Sequence, residues 1–307
     1  MPRFTFDIAS GDFSHDAALF FANACDLAYS DDPGGAASEI LGLDATTFRA
    51  PGDTQGFAGR GENFAVLAFR GSERPDQHPQ DWLTDFDALQ TAQDPFTGKV
   101  HAGFSRAITA AWNNVDAVLR PALAATAAVG ADDPGLPLFV TGHSLGGALA
   151  TLAVCRLASG ELKASGANPA VRFQLRACYT FGAPRVGDAA FCTAFKKPPT
   201  YRLVNNLDIV PLVPLSGAEW TRSRHLLPPF TPKWIRTLVD RAAKSPLYGD
   251  VGELVYINRN GVISEGGQRP EWIPEYVRQA VTSLFASLSA PVRDHLIGSY
   301  IDALSPE

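Results

Sequence analysis

Apolar residues along this chain fall into short continuous runs that alternate with longer stretches of helical spacing. Strands are predicted at residues 63–69, 136–140, 176–181, 201–204 and 254–258. Helices are predicted at residues 14–29, 104–129, 148–154, 188–195, 272–288 and 291–304, the second of them kinked or ended by Pro121. Because strands that alternate with helices usually pair in parallel, the pattern predicts an α/β fold with a mostly parallel central sheet and helices on both faces. No internal repeat or low-complexity linker divides the 307 residues, which favours a single domain.

One of these apolar strands leads directly into a serine flanked by glycines. Residues 136–140 precede the sequence TGHSLGG at residues 141–147, and helix-forming residues follow from 148 to 154. A strand, a sharp turn carrying a serine, and a helix form the local structure of a nucleophile elbow. The glycines on either side leave room for the turn, and the helix N-terminus directs backbone N–H groups toward a developing oxyanion. The motif predicts a serine hydrolase with Ser144 as its nucleophile; the alternative is a glycine-rich structural turn.

The composition is that of an ordinary globular protein and excludes little. Hydrophobic residues make up 46% and charged residues 19% of the chain, and the net charge of −6 disfavours nucleic acid as a partner. The first residues lack the basic and apolar regions of a secretory signal, and no apolar run reaches the roughly 18–20 residues of a membrane span. We therefore expect a soluble protein that is cytoplasmic, exported by another route, or already processed.

The cysteines point to neither a metal site nor a disulfide framework, because they lack C-x-x-C spacing. They are Cys25, Cys155, Cys178 and Cys192. Cys155 and Cys178 lie in apolar segments and are expected to be buried thiols, with a disulfide between them as the alternative. No metal site or organic cofactor is predicted, since serine hydrolase chemistry needs none.

A serine nucleophile requires a histidine to accept its proton. In α/β-hydrolases the acid follows the serine along the chain and the histidine follows the acid. Only His225 and His295 lie downstream of Ser144. His225 lies among arginines, which disfavour its charged form, so His295 is the better candidate for the base.

The histidine in turn requires a carboxylate that fixes its tautomer. Asp208 follows a predicted strand that ends at Val204, so it lies at the edge of the sheet where ligand sites gather in open α/β folds. Asp188 and Asp250 are the alternatives, and Asp188 follows a glycine in the manner of a helix N-cap.

Two further positions surround the elbow. The oxyanion hole needs a second donor besides the Leu145 N–H, and Ser72, just after the strand that ends at Phe69, is placed to supply its own N–H. His143, beside the nucleophile, is expected to pack or hydrogen-bond locally. It is also kept as a candidate substrate-binding residue.

Six motifs occur in an order that resembles the class 3 lipases, an α/β-hydrolase family that includes fungal triacylglycerol lipases, feruloyl esterases and plant phospholipases A1. They are Arg70-Gly71-Ser72, residues 100–104, the elbow, residues 180–188, residues 204–211 and Asp294-His295. The resemblance extends from about Phe64 to Tyr300, and it implies a single α/β-hydrolase domain over residues 1–307. It also implies that Ser144 is the nucleophile, Asp208 the acid and His295 the base. Ser72 and Leu145 would form the oxyanion hole.

Residues 73–85 correspond to the lid of that family but depart from its pattern. The part from 73 to 80 is polar and contains two prolines, so a continuous amphipathic lid helix is not expected there. Trp82 matches the family's lid tryptophan and is a candidate substrate-binding residue. Because a polar lid offers little apolar surface to lipid, we predict weak or absent interfacial activation; a marked rate increase above the substrate's solubility limit would contradict this.

Residues 215–248 form a segment that is longer than the corresponding family loop. From Trp220 to Ser245 it has one acidic residue, three interleaved aromatic residues and six basic ones, which are Arg222, Arg224, Lys233, Arg236, Arg241 and Lys244. We expect a solvated helix that covers the flank of the site. The alternatives are a surface that rests on an anionic membrane and a second flap.

The sequence as a whole predicts a serine carboxylic-ester hydrolase that acts on acylglycerols or related lipid esters through an acyl-enzyme intermediate. An esterase for short or aromatic acyl groups and a phospholipase A1 are the alternatives within the class. A non-catalytic lipid- or partner-binding protein with this fold is the alternative from another class. The expected partners are a lipid ester or other carboxylic ester and, peripherally, a lipid interface; no protein partner is predicted.

Overall fold

The structure is a computed structural model that describes residues 6–72, 89–124, 135–160, 162, 171–196, 198–208, 210–214, 247–265 and 293–305. The predicted lid at 73–85, with Trp82, lies outside these residues, and so does the segment 215–248 except for its last two residues. His225 and the predicted helix 272–288 also lie outside them. What the sequence indicates for these segments stays a prediction.

Eight of the described strands form one sheet with a parallel centre. The ten described strands are β1 (Asp44–Arg49), β2 (Gln55–Arg60), β3 (Ala65–Phe69), β4 (Gln90–Thr91), β5 (Val100–His101), β6 (Leu136–His143), β7 (Phe173–Phe181), β8 (Thr200–Asn205), β9 (Glu253–Ile257) and β10 (Ile263–Glu265). The sheet has the order β1-β2-β3-β6-β7-β8-β9-β10, while β4 and β5 form a separate pair. Strands β3, β6, β7, β8 and β9 are parallel, and the edge strands are antiparallel. The prediction of a mostly parallel sheet is confirmed.

Helices cover both faces of the sheet, as predicted. Those that the structure describes are α1 (His15–Leu27), α2 (Pro33–Leu41), α3 (Ala102–Leu123), α4 (Leu145–Ala158), α5 (Ala189–Ala194) and α6 (Ile297–Leu304). Side chains of α3 and α4 share one apolar core, and side chains of α1 and α6 share the other. Successive residues of a strand point to opposite faces, so Leu67 belongs to the first core and Val66 to the second. This is why the central strands are continuous apolar runs.

Two predicted helices end or break differently from the prediction. Helix α3 passes through Pro121 and ends at Leu123, because Ala124 adopts an extended conformation there, rather than continuing to residue 129. The predicted helix at 291–304 is interrupted: residues 293–295 form a helical turn, Leu296 is extended with ψ 138°, and α6 begins only at Ile297. The interruption separates His295 from the last helix. Elements α2, β1, β2, β4, β5 and β10 are not predicted by the apolar pattern.

All four cysteines are free thiols, so the alternative of a Cys155–Cys178 disulfide is wrong. Cys178 is buried and Cys155 is partly buried. Burial raises the pKa of the Cys155 thiol to about 12. Among the described helices, none combines the length and apolar character needed to cross a membrane.

Candidate active site

The turn between β6 and α4 places Ser144 in a strained conformation. Ser144 has φ 57° and ψ −130°, in the left-handed half of backbone space, and only 3% of its surface is exposed. A Cβ on Gly142 would collide with the Gly146 backbone, and one on Gly146 would collide with the Phe69 carbonyl oxygen. Both glycines are therefore required at the turn, as the sequence predicts. The backbone strain and the absence of these side chains are typical of a nucleophile elbow.

His295 lies between Ser144 and Asp208 and hydrogen-bonds both. Its Nε2 lies 3.0 Å from the Ser144 Oγ. Its Nδ1 lies 2.9 Å from the Asp208 Oδ2 and 3.0 Å from the Oδ1. Because a carboxylate only accepts hydrogen bonds, Nδ1 carries the proton and Nε2 is left as the acceptor for the serine proton. The arrangement can therefore withdraw a proton from Ser144 as it attacks an electrophile.

The alternative acids lie in other settings. The Asp188 side chain accepts a hydrogen bond from the Phe191 N–H and caps α5, which is the role its sequence context indicates. Asp250 forms an ion pair with Arg185 at 3.0 Å and lies 3.8 Å from Arg202. The hydrogen bonds described above for the His295 imidazole go to Asp208 and Ser144.

Asp208 is held in place by donors on two separate elements. The backbone N–H of Val210 donates to its Oδ1 at 2.9 Å, and the Tyr300 hydroxyl of α6 donates to its Oδ2 at 2.6 Å. The Tyr300 oxygen in turn accepts from the Asn205 N–H at 3.1 Å, at the end of β8. Both carboxylate oxygens are thus oriented before any substrate arrives, and Asp208 is fully buried.

Asp294 ties the loop that carries the acid to the turn that carries the histidine. Its Oδ2 accepts from the Asn206 Nδ2 at 2.8 Å and from the Leu207 N–H at 3.2 Å. The Asn205 Nδ2 donates to its backbone carbonyl at 3.1 Å. These bonds fix the position of His295 relative to Asp208 from the main-chain side.

The two predicted oxyanion donors lie in segments that the structure brings to Ser144. Leu145 is the first residue of α4, where a backbone N–H has no partner within its own helix. Ser72 follows Gly71, and a Cβ on Gly71 would lie 3.1 Å from the Ser144 Cβ. The approach follows from the parallel pairing of β3 with β6, in which Phe69 is opposite Gly142. That both N–H groups hold one oxygen atom stays a prediction.

His143 is buried beside the elbow, and both of its ring nitrogens are hydrogen-bonded. Its Nε2 lies 2.6 Å from the His295 carbonyl oxygen and its Nδ1 lies 2.8 Å from the Tyr29 hydroxyl. Burial, and next the neighbouring His295, lower the pKa of His143 well below its ordinary value. The ring is therefore neutral and hydrogen-bonded locally, as expected; contact with substrate stays a prediction.

Tyr29, Asp294 and Tyr300 are the contributors to this site that sequence reasoning does not identify. Tyr29 and Tyr300 occupy positions on helical apolar patterns and read as core aromatic residues. Asp294 lies in the Asp-His motif, which is a signal for its importance but not for its contacts. Their roles depend on neighbours that are distant in sequence.

Comparisons with known proteins agree with this geometry. Residues 66–217 match the family described as Lipase (class 3). A lipase of Rhizomucor miehei is 33% identical over 167 residues, which cover 53% of this chain and 41% of that protein. The secreted mono- and diacylglycerol lipase 1 of Fusarium solani is 34% identical over 152 residues, covering 48% of this chain and 39% of that protein.

Among solved structures, lipase II from Rhizopus niveus aligns with a TM-score of 0.55 and 25% identity, covering 79% of this chain and 80% of that chain. This neighbour extends the similarity well beyond the residues that the family matches. By sequence, the chain spans less than half the length of these two relatives, 41% and 39%.

Proposed function

The chain belongs to the class 3 lipase family, and from this premise we propose that it is a serine carboxylic-ester hydrolase acting on acylglycerols or related lipid esters. The observation that supports the proposal most directly is the position of His295, hydrogen-bonded at once to the Ser144 Oγ and to the Asp208 carboxylate. Acyl transfer is the chemistry that this arrangement performs on several unrelated folds.

In the proposed reaction, the Ser144 Oγ attacks the acyl carbonyl carbon while the His295 Nε2 accepts its proton. Asp208 holds the Nδ1–H and stabilises the imidazolium that forms. The N–H groups of Leu145 and Ser72 bind the oxyanion, and each such donor is worth about 10²–10³ in kcat. The imidazolium then protonates the leaving alcohol. A water molecule, deprotonated by the same histidine, attacks the acyl-enzyme and releases the acid.

The substrate class is supported by the nature of the relatives. The Fusarium solani protein is named a mono- and diacylglycerol lipase, and the Rhizomucor miehei protein is named a lipase. We propose that residues 73–85, with Trp82, form a polar lid over the site and that residues 215–248 cover its flank. His143 is proposed to contribute to the substrate site from beneath the elbow rather than through its ring nitrogens, which are already bonded within the protein.

The first test is hydrolysis of a series of p-nitrophenyl esters, from acetate to palmitate, by the wild type and by Ser144→Ala. We expect turnover that is greatest for octanoate or longer chains and that falls roughly 10⁶-fold in the variant, because the nucleophile is lost. Ser159→Ala is a matched control, since this serine lies at the other end of α4 and its Oγ donates to the nearby Arg156 carbonyl. Absence of Ser144-dependent turnover at every chain length would overturn the proposal.

The same series separates the alternatives within the class. A maximum at acetate or butyrate would identify an esterase for short acyl groups. Parallel assays on triacylglycerol emulsions and phosphatidylcholine vesicles would distinguish a lipase from a phospholipase A1. Rates above and below the solubility limit of tributyrin test the polar lid, for which we expect little interfacial activation.

A further inference from the structure

A second chain of hydrogen bonds runs beside the candidate triad. Tyr29, just after α1, lies with its hydroxyl 2.8 Å from the His143 Nδ1. The His143 Nε2 lies 2.6 Å from the His295 carbonyl oxygen. At the other end, the Tyr29 hydroxyl packs against the backbone of Gly71. This series of contacts therefore runs from the residue before Ser72, through Tyr29 and His143, to the main chain of His295.

The direction of each bond is fixed by the groups at the two ends. A backbone carbonyl only accepts, so the His143 Nε2 carries the proton and donates to the His295 oxygen. The neutral ring then has Nδ1 as its acceptor, and the Tyr29 hydroxyl donates to it. Every donor in this series has one acceptor, so the bonds are mutually consistent.

The proposed reaction depends on the residues at both ends of this series of contacts. Gly71 is packed so tightly that a Cβ there would collide with the Tyr29 hydroxyl and would lie 2.7 Å from the His143 carbonyl oxygen. Its neighbour Ser72 is the proposed second oxyanion donor. At the other end, the carbonyl of His295 belongs to the residue whose ring must reach Ser144.

We propose that Tyr29 and His143 are positioning residues, which hold the backbone of His295 and the Gly71–Ser72 turn at a fixed separation around Ser144. The proposal deepens the proposed function and rests on it. The hydrogen bonds of their side chains go to each other and to the His295 carbonyl oxygen. They act through the residues they contact. His143 acts on His295, the proposed base, and Tyr29 acts on the Gly71–Ser72 turn, which carries the proposed oxyanion donor.

The neutrality of the His143 ring suits this role. The ring centroids of His143 and His295 are 4.7 Å apart, so a charged His143 would oppose formation of the His295 imidazolium. Burial lowers the pKa of His143 and keeps the ring uncharged. On the other side, the Arg70 guanidinium lies 5.7 Å from the Tyr29 ring centroid, which favours one placement of the ring between α1 and β3.

The test compares Tyr29→Phe with Tyr201→Phe. Tyr29→Phe removes the hydroxyl bond to His143 and keeps the aromatic ring. In Tyr201→Phe the lost hydroxyl donates to the Gly11 carbonyl at 2.8 Å, within the same core but away from the site. We expect Tyr29→Phe to lower kcat about 10-fold with KM within about twofold, as suits the loss of a positioning bond. Tyr201→Phe should leave both constants near wild type.

Two His143 variants separate positioning from simple packing. His143→Gln can still present an N–H to the His295 carbonyl, whereas His143→Leu fills similar space without a donor. We expect His143→Leu to lower kcat about 10-fold or more and His143→Gln to recover most of that loss. Urea unfolding of each variant checks that it is folded; if the elbow does not tolerate these changes, Tyr29→Phe decides the matter.

A second readout keeps this proposal distinct from the proposed function. The low-field NMR resonance of the His295 Nδ1 proton reports the geometry of its bond to Asp208, whether or not any ester is hydrolysed. We expect the resonance to shift or broaden in Tyr29→Phe and to stay unchanged in Tyr201→Phe. Unchanged kcat and an unchanged resonance in Tyr29→Phe would overturn the positioning role. Absence of turnover in the wild type would overturn only the proposed function.

Discussion

Tyr300 joins three separate parts of the site through one hydroxyl group. It donates to the Asp208 Oδ2 at 2.6 Å and accepts from the Asn205 N–H at 3.1 Å. Its ring lies edge-on to Phe181, at the end of β7, with centroids 5.8 Å apart. A single buried tyrosine thus aligns the acid with the ends of two neighbouring strands, and its loss should be visible in catalysis rather than only in stability.

Replacing Tyr300 by Phe should lower kcat about 10-fold, because a hydrogen bond to an ionised carboxylate is worth about 1.5–3 kcal/mol and part of it serves orientation. KM for a p-nitrophenyl ester should change little. Tyr179→Phe is the matched control, since its hydroxyl donates to the Asp12 carbonyl at 3.3 Å, on the far side of the core. Equal kcat values for the two variants would contradict a role for Tyr300 in orienting Asp208.

His143 should also make the stability of the fold depend on pH. Burial lowers the pKa of the folded-state ring below its ordinary value of about 6.5, so below that pH the unfolded chain binds a proton that the folded chain does not. The contribution is therefore fully present above the unfolded pKa and is lost as pH falls toward the folded one. The titratable groups that face the ring are Tyr29, His295 and Tyr300.

Urea unfolding of the wild type and His143→Gln measures this contribution. Between about pH 7.5 and pH 5, the difference in unfolding free energy between the two proteins should move in favour of the variant by about 1–2 kcal/mol, since glutamine does not titrate. A difference that is the same at both pH values would show that the buried ring does not resist protonation.

At the residue scale, the sequence indicates the groups that react but not those that hold them. Ser144 stands in a local motif, and the order serine, acid, histidine narrows the choice of partners to a few residues. Tyr29 offers no such signal, because a tyrosine at the end of an apolar helix is equally consistent with core packing. Its role follows from a contact with His143, which is 114 positions away, and no local pattern reports a contact of that kind.

At the scale of elements, the β6–α4 junction leaves no room for a side chain at Gly142 or Gly146. We expect Gly142→Ala to destabilise the protein by about 1–3 kcal/mol or more, because its Cβ would meet backbone atoms of Gly146 that have no room to move. The change should also lower activity, since it displaces Ser144. Urea unfolding and ester hydrolysis on the same preparation measure both effects.

Gly298→Ala is the matched control for that change. Gly298 lies on the exposed side of α6, and a Cβ there meets nothing within 4 Å. Because alanine is the better helix former, this variant should gain about 0.5–1 kcal/mol in unfolding free energy without loss of activity. Destabilisation of similar size in both variants would mean that the elbow is no more constrained than an ordinary helix.

The sequence predicts the central strands better than the edge strands and helix ends, and the reason is physical. The strands β3 and β6 are buried on both faces and therefore appear as continuous apolar runs. Strand β2 contains two glycines, and its form depends on pairing between β1 and β3 in an antiparallel register. Leu296 breaks a helix without proline or glycine, and the neighbouring Asp294 is held by the loop after β8. Tertiary contacts, rather than local preference, decide such cases.

At the scale of the whole molecule, no covalent cross-link contributes to stability, since all four cysteines are thiols. The midpoint of urea unfolding should therefore be the same with and without a reducing agent. A Cys155–Cys178 bridge would have contributed about 2–4 kcal/mol, and a midpoint that falls on reduction would reveal it. Native thiols should also react slowly with alkylating reagents, because burial raises the pKa of both Cys25 and Cys155 to about 12.

Helices α1 and α6 pack against each other, although they are far apart in the sequence. The His15 Nε2 lies 2.7 Å from the Leu304 carbonyl oxygen, so the first and last described helices are direct neighbours. Joining them with a short linker and opening the chain at the exposed β9–β10 turn, near Gly261, would give a circular permutant with the same neighbours in space. Its chain order would be His295, Ser144, Asp208. The order of serine, acid and histidine along the sequence thus depends on where the chain is opened, whereas the geometry of the site depends on which elements are neighbours in space.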